Sequence, residues 1–178
     1  MRFISDTRLL YCKHDGTYQE VDIDEKRITK ENILKVGDGS TNTPYMSLWG
    51  EGKSHFVLKE SKTSVSVRSK GGDYSEVRKI SGFGSEIRHI LHEKKDTDNF
   101  ILVCEKHCYR INSEDGTMNR LETLEQGIGE FSSAAIVQGQ YLLLDLIKPA
   151  TTNHQLRSFN LSTFKELSRQ DIQVKTEQ

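Results

Sequence analysis

Apolar residues in this chain fall into short clusters separated by polar, turn-forming stretches, and the clusters recur in one order. A moderately apolar run comes first: Tyr45-Met46-Ser47-Leu48-Trp49, Ile87-Arg88-His89-Ile90-Leu91 and Ala134-Ala135-Ile136-Val137. A denser strand follows each, as Phe56-Val57-Leu58, Phe100-Ile101-Leu102-Val103 and Tyr141-Leu142-Leu143-Leu144. Next comes a tight turn and an alternating stretch, clearest in Thr63-Ser64-Val65-Ser66-Val67 and Cys108-Tyr109-Arg110-Ile111. Alternation with period two marks a strand with one buried face. Gly71-Gly72 and Asp115-Gly116 then signal another turn, and a last amphipathic strand closes the unit. Residues 120–126 and 162–169 could each form a single helical turn, but no i, i+3, i+4, i+7 stripe persists for three turns.

Glycine punctuates the order. Gly37-Asp38-Gly39, Gly82-Phe83-Gly84 and Gly127-Ile128-Gly129 stand 45 residues apart. A fixed period of that size is the mark of a copied, stacked unit. The anchors Phe56, Phe100 and Tyr141 are 44 and 41 residues apart, so loop length varies while order holds. The expected fold is all-β, a propeller-like array of about four four-stranded antiparallel blades. One domain over residues 1–178 is expected, with repeats near 1–36, 37–81, 82–126 and 127–172 and a tail over 173–178.

The first copy carries the most specific residues. From Phe3 to Asp22 an apolar strand, the Asp6 turn, a Leu9-Leu10 strand, an Asp15-Gly16-Thr17 turn and a strand ending in Val21-Asp22 follow one another. This stretch resembles the centre of a WD-repeat blade, with Val21-Asp22 at the Trp-Asp position and Asp15 in the place of the turn aspartate. The tryptophan and the opening Gly-His pair are absent, so the resemblance is to a degenerate WD-like propeller. It implies a contact face built from inter-blade loops and middle-hairpin turns. On this chain those turns carry Lys13, His14, Glu60, Lys62, Glu105, Lys106 and His107. The family usually closes with about seven blades, and four-bladed rings also exist. A partial propeller is favoured here over a closed four-blade ring, either as a fragment of a longer chain or as a half-ring that a second copy or another partner completes.

Composition narrows the class. Apolar residues make up 34% and charged residues 29%, at a net charge of −1. The charges are interspersed and no basic stripe appears, which argues against nucleic-acid binding. No apolar run approaches the length of a membrane-spanning helix. The first residues lack the apolar stretch of a signal peptide. Three cysteines, an odd number, suit a reducing compartment. A cytoplasmic location is expected, with the nucleus left open.

Candidate chemistry is sparse. Cys104-Glu105-Lys106-His107-Cys108 offers three zinc donors at compact spacing, and Cys12 and His14 flank the corresponding first-copy turn. Cysteines ending one strand and opening the next are more simply small core residues. His89 and His92 fall on opposite sides of a strand and do not share a ligand. The Gly-x-Gly pairs lack the third glycine and following helix of a phosphate loop. Trp49 reads as core rather than a rim anchor, and residues 93–98 as a solvated loop. No catalytic constellation can be assembled from spacing. The functional expectation is therefore a non-enzymatic scaffold or adaptor for protein partners, with no cofactor. Two alternatives stay open: a metal or enzymatic site at the Cys104–Cys108 turn, and a structural segment of a larger assembly.

Overall fold

The computed structural model describes residues 2–3, 6–13, 15, 17–31, 49–70, 74–93, 97–123, 130–148 and 153–173. His14, Gly16, the glycine pairs at 37–39 and 127–129, and Gly71-Gly72 lie outside the described residues. Sixteen strands and no helix occur among those described.

They form four sheets, each four strands wide and each built from consecutive strands. Sheet 1 holds β1 (Arg2–Phe3), β2 (Arg8–Cys12), β3 (Tyr18–Asp22) and β4 (Arg27–Lys30). Sheet 2 holds β5 (Trp49–Glu51), β6 (His55–Ser61), β7 (Ser64–Ser69) and β8 (Glu76–Ser81). Sheet 3 holds β9 (Ile87–His92), β10 (Asn99–Cys104), β11 (His107–Asn112) and β12 (Met118–Thr123). Sheet 4 holds β13 (Glu130–Val137), β14 (Tyr141–Ile147), β15 (His154–Asn160) and β16 (Glu166–Ile172). Every pairing is antiparallel, as short hairpin connections require.

Strand β10 shows why the sheets stack. Phe100, Leu102 and Cys104 enter one core together with Val57, Val65, Val67 and Ile80 of sheet 2. Ile101 and Val103 enter a second core with Leu142, Leu144, Leu146 and Phe159 of sheet 4. Successive side chains of a strand point to opposite faces, so one five-residue apolar run feeds both cores. The register carries the division across the sheet. Leu102 pairs with Ile90 and Tyr109 on one face, while Val103 pairs with His89 and Cys108 on the other.

Turn chemistry repeats with the sheets. The third strand of sheets 1, 3 and 4 ends in Asp22, Asn112 and Asn160. Their side-chain oxygens accept hydrogen bonds from the backbone N–H of Glu25, Glu114 and Ser162 at 3.0, 2.8 and 3.0 Å. Short Asp and Asn side chains favour such local capping, which starts the last hairpin of each sheet. Gly82 and Gly84 adopt φ of +92° and +63°, which glycine tolerates without strain. This Gly-x-Gly loop turns Phe83 fully into the core between sheets 2 and 3.

Leu102 is completely buried, whereas Leu167 is 53% exposed at an irregularity of β16. Leu102→Ala is expected to lower unfolding free energy by about 2–5 kcal/mol. Leu167→Ala should change it by less than about 0.5 kcal/mol. Urea denaturation of both variants checks this, and equal losses would contradict the two-faced core.

Candidate functional site

The middle hairpins of sheets 2 and 3 turn at or next to the sequence-derived contact residues Glu60, Lys62, Glu105, Lys106 and His107. Lys62 and Thr63 form the β6–β7 turn; Glu105 and Lys106 form the β10–β11 turn. Lys62 and Lys106 are exposed, while Glu60, Glu105 and His107 are half-buried. Lys13 is half-buried at the β2–β3 turn of sheet 1, where its backbone N–H donates to the Thr17 carbonyl at 2.8 Å.

Backbone bonds join the turns of sheets 2 and 3 to the sheet that follows. The Ile87 N–H, opening β9, donates to the Lys62 carbonyl at 2.8 Å. The Phe131 N–H, at the start of β13, donates to the Glu105 carbonyl at 3.3 Å. The Glu105 N–H donates back to the Glu86 carbonyl at 2.8 Å, and the Lys106 N–H to Ser85 Oγ at 3.2 Å. The two turns and the start of β9 are thus one continuous rim.

Side chains extend the tie. Arg88 pairs with Glu105, and Lys79 Nζ lies 2.8 Å from Glu60 Oε2. The His107 ring meets Tyr109 edge-on at 6.0 Å, and a Cβ on Gly84 would stand 3.3 Å from His107 Cδ2. Burial, aided by Arg120 and Lys106, holds the His107 pKa below its ordinary value. Tyr109 donates its phenol to the Phe83 carbonyl at 3.1 Å, anchoring the Gly-x-Gly loop behind the rim.

Sequence reasoning passed over the rim residues Ser85, Glu86 and Arg88, and over Lys59 beneath them. Lys59 Nζ donates to the Ile87 carbonyl at 2.6 Å and to Glu86 Oε1 at 3.1 Å. Burial depresses its pKa, against the opposing pull of Glu86. A lysine following Phe56-Val57-Leu58 in a buried strand was the available signal. Its partners come from the neighbouring sheet, so spacing could not supply them.

Two arrangements elsewhere carry the residue types of catalysis. At the opposite end of sheets 2 and 3, Ser113 Oγ lies 3.4 Å and Asp98 Oδ1 3.5 Å from His55. Both approach the same ring nitrogen, Nδ1, whereas a proton relay needs serine and carboxylate on opposite nitrogens. Asp98 Oδ1 instead accepts the Ser54 and His55 N–H groups at 3.0 and 3.2 Å, capping sheet 2 from sheet 3. Gly52 makes room for it: a Cβ there would stand 2.6 Å from Asp98 Oδ1.

Cys104 and Cys108 are buried free thiols that enter different cores, on opposite faces of sheet 3. Burial pushes the Cys104 thiol up to about 12. Among the described residues no group of three His, Cys, Asp or Glu side chains is placed to hold a metal ion. His89 and His92 do face opposite ways: His89 Nε2 lies 3.0 Å from the Ser132 carbonyl of sheet 4, and the His92 ring lies 5.2 Å from that of Phe100. The side chains of Trp49 and Cys12 lie outside what is described.

No protein-family model and no curated protein matches the sequence. Solved structures do. The Pan2 WD40 domain of Neurospora crassa matches 93% of this chain at 12% identity with a TM-score of 0.67. A chain of a mitotic checkpoint complex matches 93% at 10% identity and 0.65, and hydrazine synthase of Kuenenia stuttgartiensis 97% at 12% and 0.64. The fold is that of a β-propeller. The chain spans about half the length of these neighbours, covering 47%, 49% and 51% of theirs respectively. Among the described residues no helix is long and apolar enough to cross a membrane.

The seam between sheets 1 and 2 has a titratable tie. Tyr74 donates its phenol to Glu20 Oε2 at 2.6 Å, and Thr29 Oγ1 donates to Oε1 at 3.0 Å. Burial pushes the Glu20 carboxyl up, but the Tyr74 and Thr29 hydrogen bonds and the charges of Lys30 and Arg8 outweigh it. The folded pKa therefore lies below the ordinary 4.5. Its stabilisation is full above that value and is lost as pH falls through the folded pKa. Glu20→Gln is expected to destabilise the protein at neutral pH, by an amount that shrinks as pH drops below 4.5. Urea denaturation across pH reads this, and a pH-independent difference would contradict it. Native alkylation with iodoacetamide near neutral pH should leave Cys104 and Cys108 unmodified, and denaturant should expose both. Peptide mapping by mass spectrometry decides, since rapid native labelling of either would contradict its core position.

Proposed function

We propose that this protein is a non-enzymatic interaction module, a degenerate WD-repeat-like propeller domain over residues 1–178 that presents one rim to a protein partner. The supporting observation is the backbone bonding of the β6–β7 and β10–β11 turns to the first strand of the next sheet. Turns held this way have their backbone ordered before binding, which removes the loop-ordering part of the cost of association. Lys62 and Lys106 are the exposed contacts, with half-buried Glu60, Glu105 and His107 at or beside the same turns and Lys13 on the middle-hairpin turn of sheet 1; the sequence adds His14, outside the described residues, to the proposed set. The charges on this rim are mixed in sign, with Glu60 paired to Lys79 and Glu105 to Arg88, which favours a partner surface of mixed sign over a polyanion. A reducing compartment, cytoplasm or nucleus, suits the buried thiols.

The metal reading of the Cys104–Cys108 turn is weaker, because the two thiols enter different cores. The experiment is quantitative affinity capture with the Lys62→Glu/Lys106→Glu variant, compared with Lys53→Glu on the exposed β5–β6 turn at the other end. Specific partners should be depleted at least about tenfold by the rim variant and retained by the control. An unchanged captured set, from variants that keep the native far-UV spectrum, would overturn the rim assignment.

A further inference from the structure

The seams inside the chain follow one rule: the trailing face of a sheet packs on the leading face of the next. Val57, Val65 and Ile80 of sheet 2 meet Phe100 and Leu102 of sheet 3, and Ile101 and Val103 meet Leu142 and Leu144 of sheet 4. At the two ends the rule leaves a face on which no other described sheet packs.

Sheet 1 turns Glu20 toward Tyr74 of sheet 2. Alternation then sends Leu9, Tyr11 and Ile28 the other way, and the register aligns Leu9 with Val21 and Val21 with Ile28. Sheet 4 sends Leu142, Leu144 and Leu146 toward sheet 3, and Tyr141, Leu143 and Ile147 away from it. Tyr11 and Ile28 remain 40% and 45% exposed, Tyr141 and Ile147 36% and 41%. On the sheet 4 face the Asp145 carboxylate is matched by His154, whose Nδ1 lies 2.9 Å from both oxygens. Both faces thus carry exposed apolar side chains, with Gln19 beside Tyr11 on sheet 1 and the hydrogen-bonded Asp145–His154 pair among them on sheet 4.

We propose that a second copy of this chain covers both. Sheet 4 of one copy packs on sheet 1 of the other, and the reverse contact closes the ring. The argument is continuity with the interior seams. The open face of sheet 4 is a trailing face and that of sheet 1 a leading face, so each needs the kind of partner the other supplies. Two copies bring eight sheets, and the neighbours are about twice as long as this chain. A head-to-tail contact made twice closes without leaving a third face open.

Light scattering after size exclusion of the 178-residue chain, over a wide concentration range, tests this. The expected mass is twice 20.4 kDa. Ile28→Glu on one face and Leu143→Glu on the other should each raise the dimer dissociation constant at least about tenfold, with unchanged far-UV circular dichroism. If either variant misfolds, Tyr11→Lys and Tyr141→Lys replace the pair. A single-copy mass for the unaltered chain overturns the proposal and leaves the faces to additional sheets or a different protein. A mass that grows without limit overturns the closed ring in favour of an open array. Loss of dimer in only one member of a variant pair means one face pairs with itself, and that too overturns it.

Discussion

Everything in this structure rests on strand β10 burying both of its faces. Phe100 and Leu102 are inaccessible on one side, Ile101 and Val103 on the other. A single antiparallel sheet of four short strands has too little apolar surface to persist in water. Stacked between two others, sheet 3 spends each residue of its central strand on one neighbour or the other. Stability is therefore shared between adjacent sheets and belongs to no sheet alone, the general property of repeat architectures.

Polar groups buried along the seams do a different job. Lys59 reaches from sheet 2 to Glu86 and the Ile87 carbonyl, Asp98 reaches back from sheet 3 to the Ser54 and His55 amides, and Arg110 of sheet 3 bonds the Leu161 carbonyl of sheet 4. An apolar seam tolerates sliding; a buried lysine or carboxylate does not, because losing its partner leaves an unpaired group in a dry site. These ties fix the offset of one sheet on the next. That offset is what brings the β6–β7 turn, the start of β9 and the β10–β11 turn into one rim. Packing geometry and candidate function share a cause.

The outline of the fold was legible. Phe56, Phe100 and Tyr141 do head the second strands of their sheets or lie next to the head, and the alternating runs at Ser64 and Cys108 are third strands. Period-two patterning and glycine punctuation are local properties, read directly from neighbouring residues. The Asp98–His55–Ser113 arrangement was not legible, because its members are 15 to 58 positions apart and meet only across a seam. Nor was the rim's connectedness, since it depends on the carbonyls of Lys62 and Glu105, atoms every residue possesses.

By itself the sequence determined that the chain forms β-strands, that they come in fours, and where most hairpins turn. Alternation and turn propensity act within a few residues, so no distant contact is needed to express them. Only the tertiary structure decided which face of each strand meets which neighbour. It also decided that Cys104 and Cys108, four positions apart at one turn, enter different cores. Those outcomes follow from register and stacking, which are set by side chains far apart in the chain.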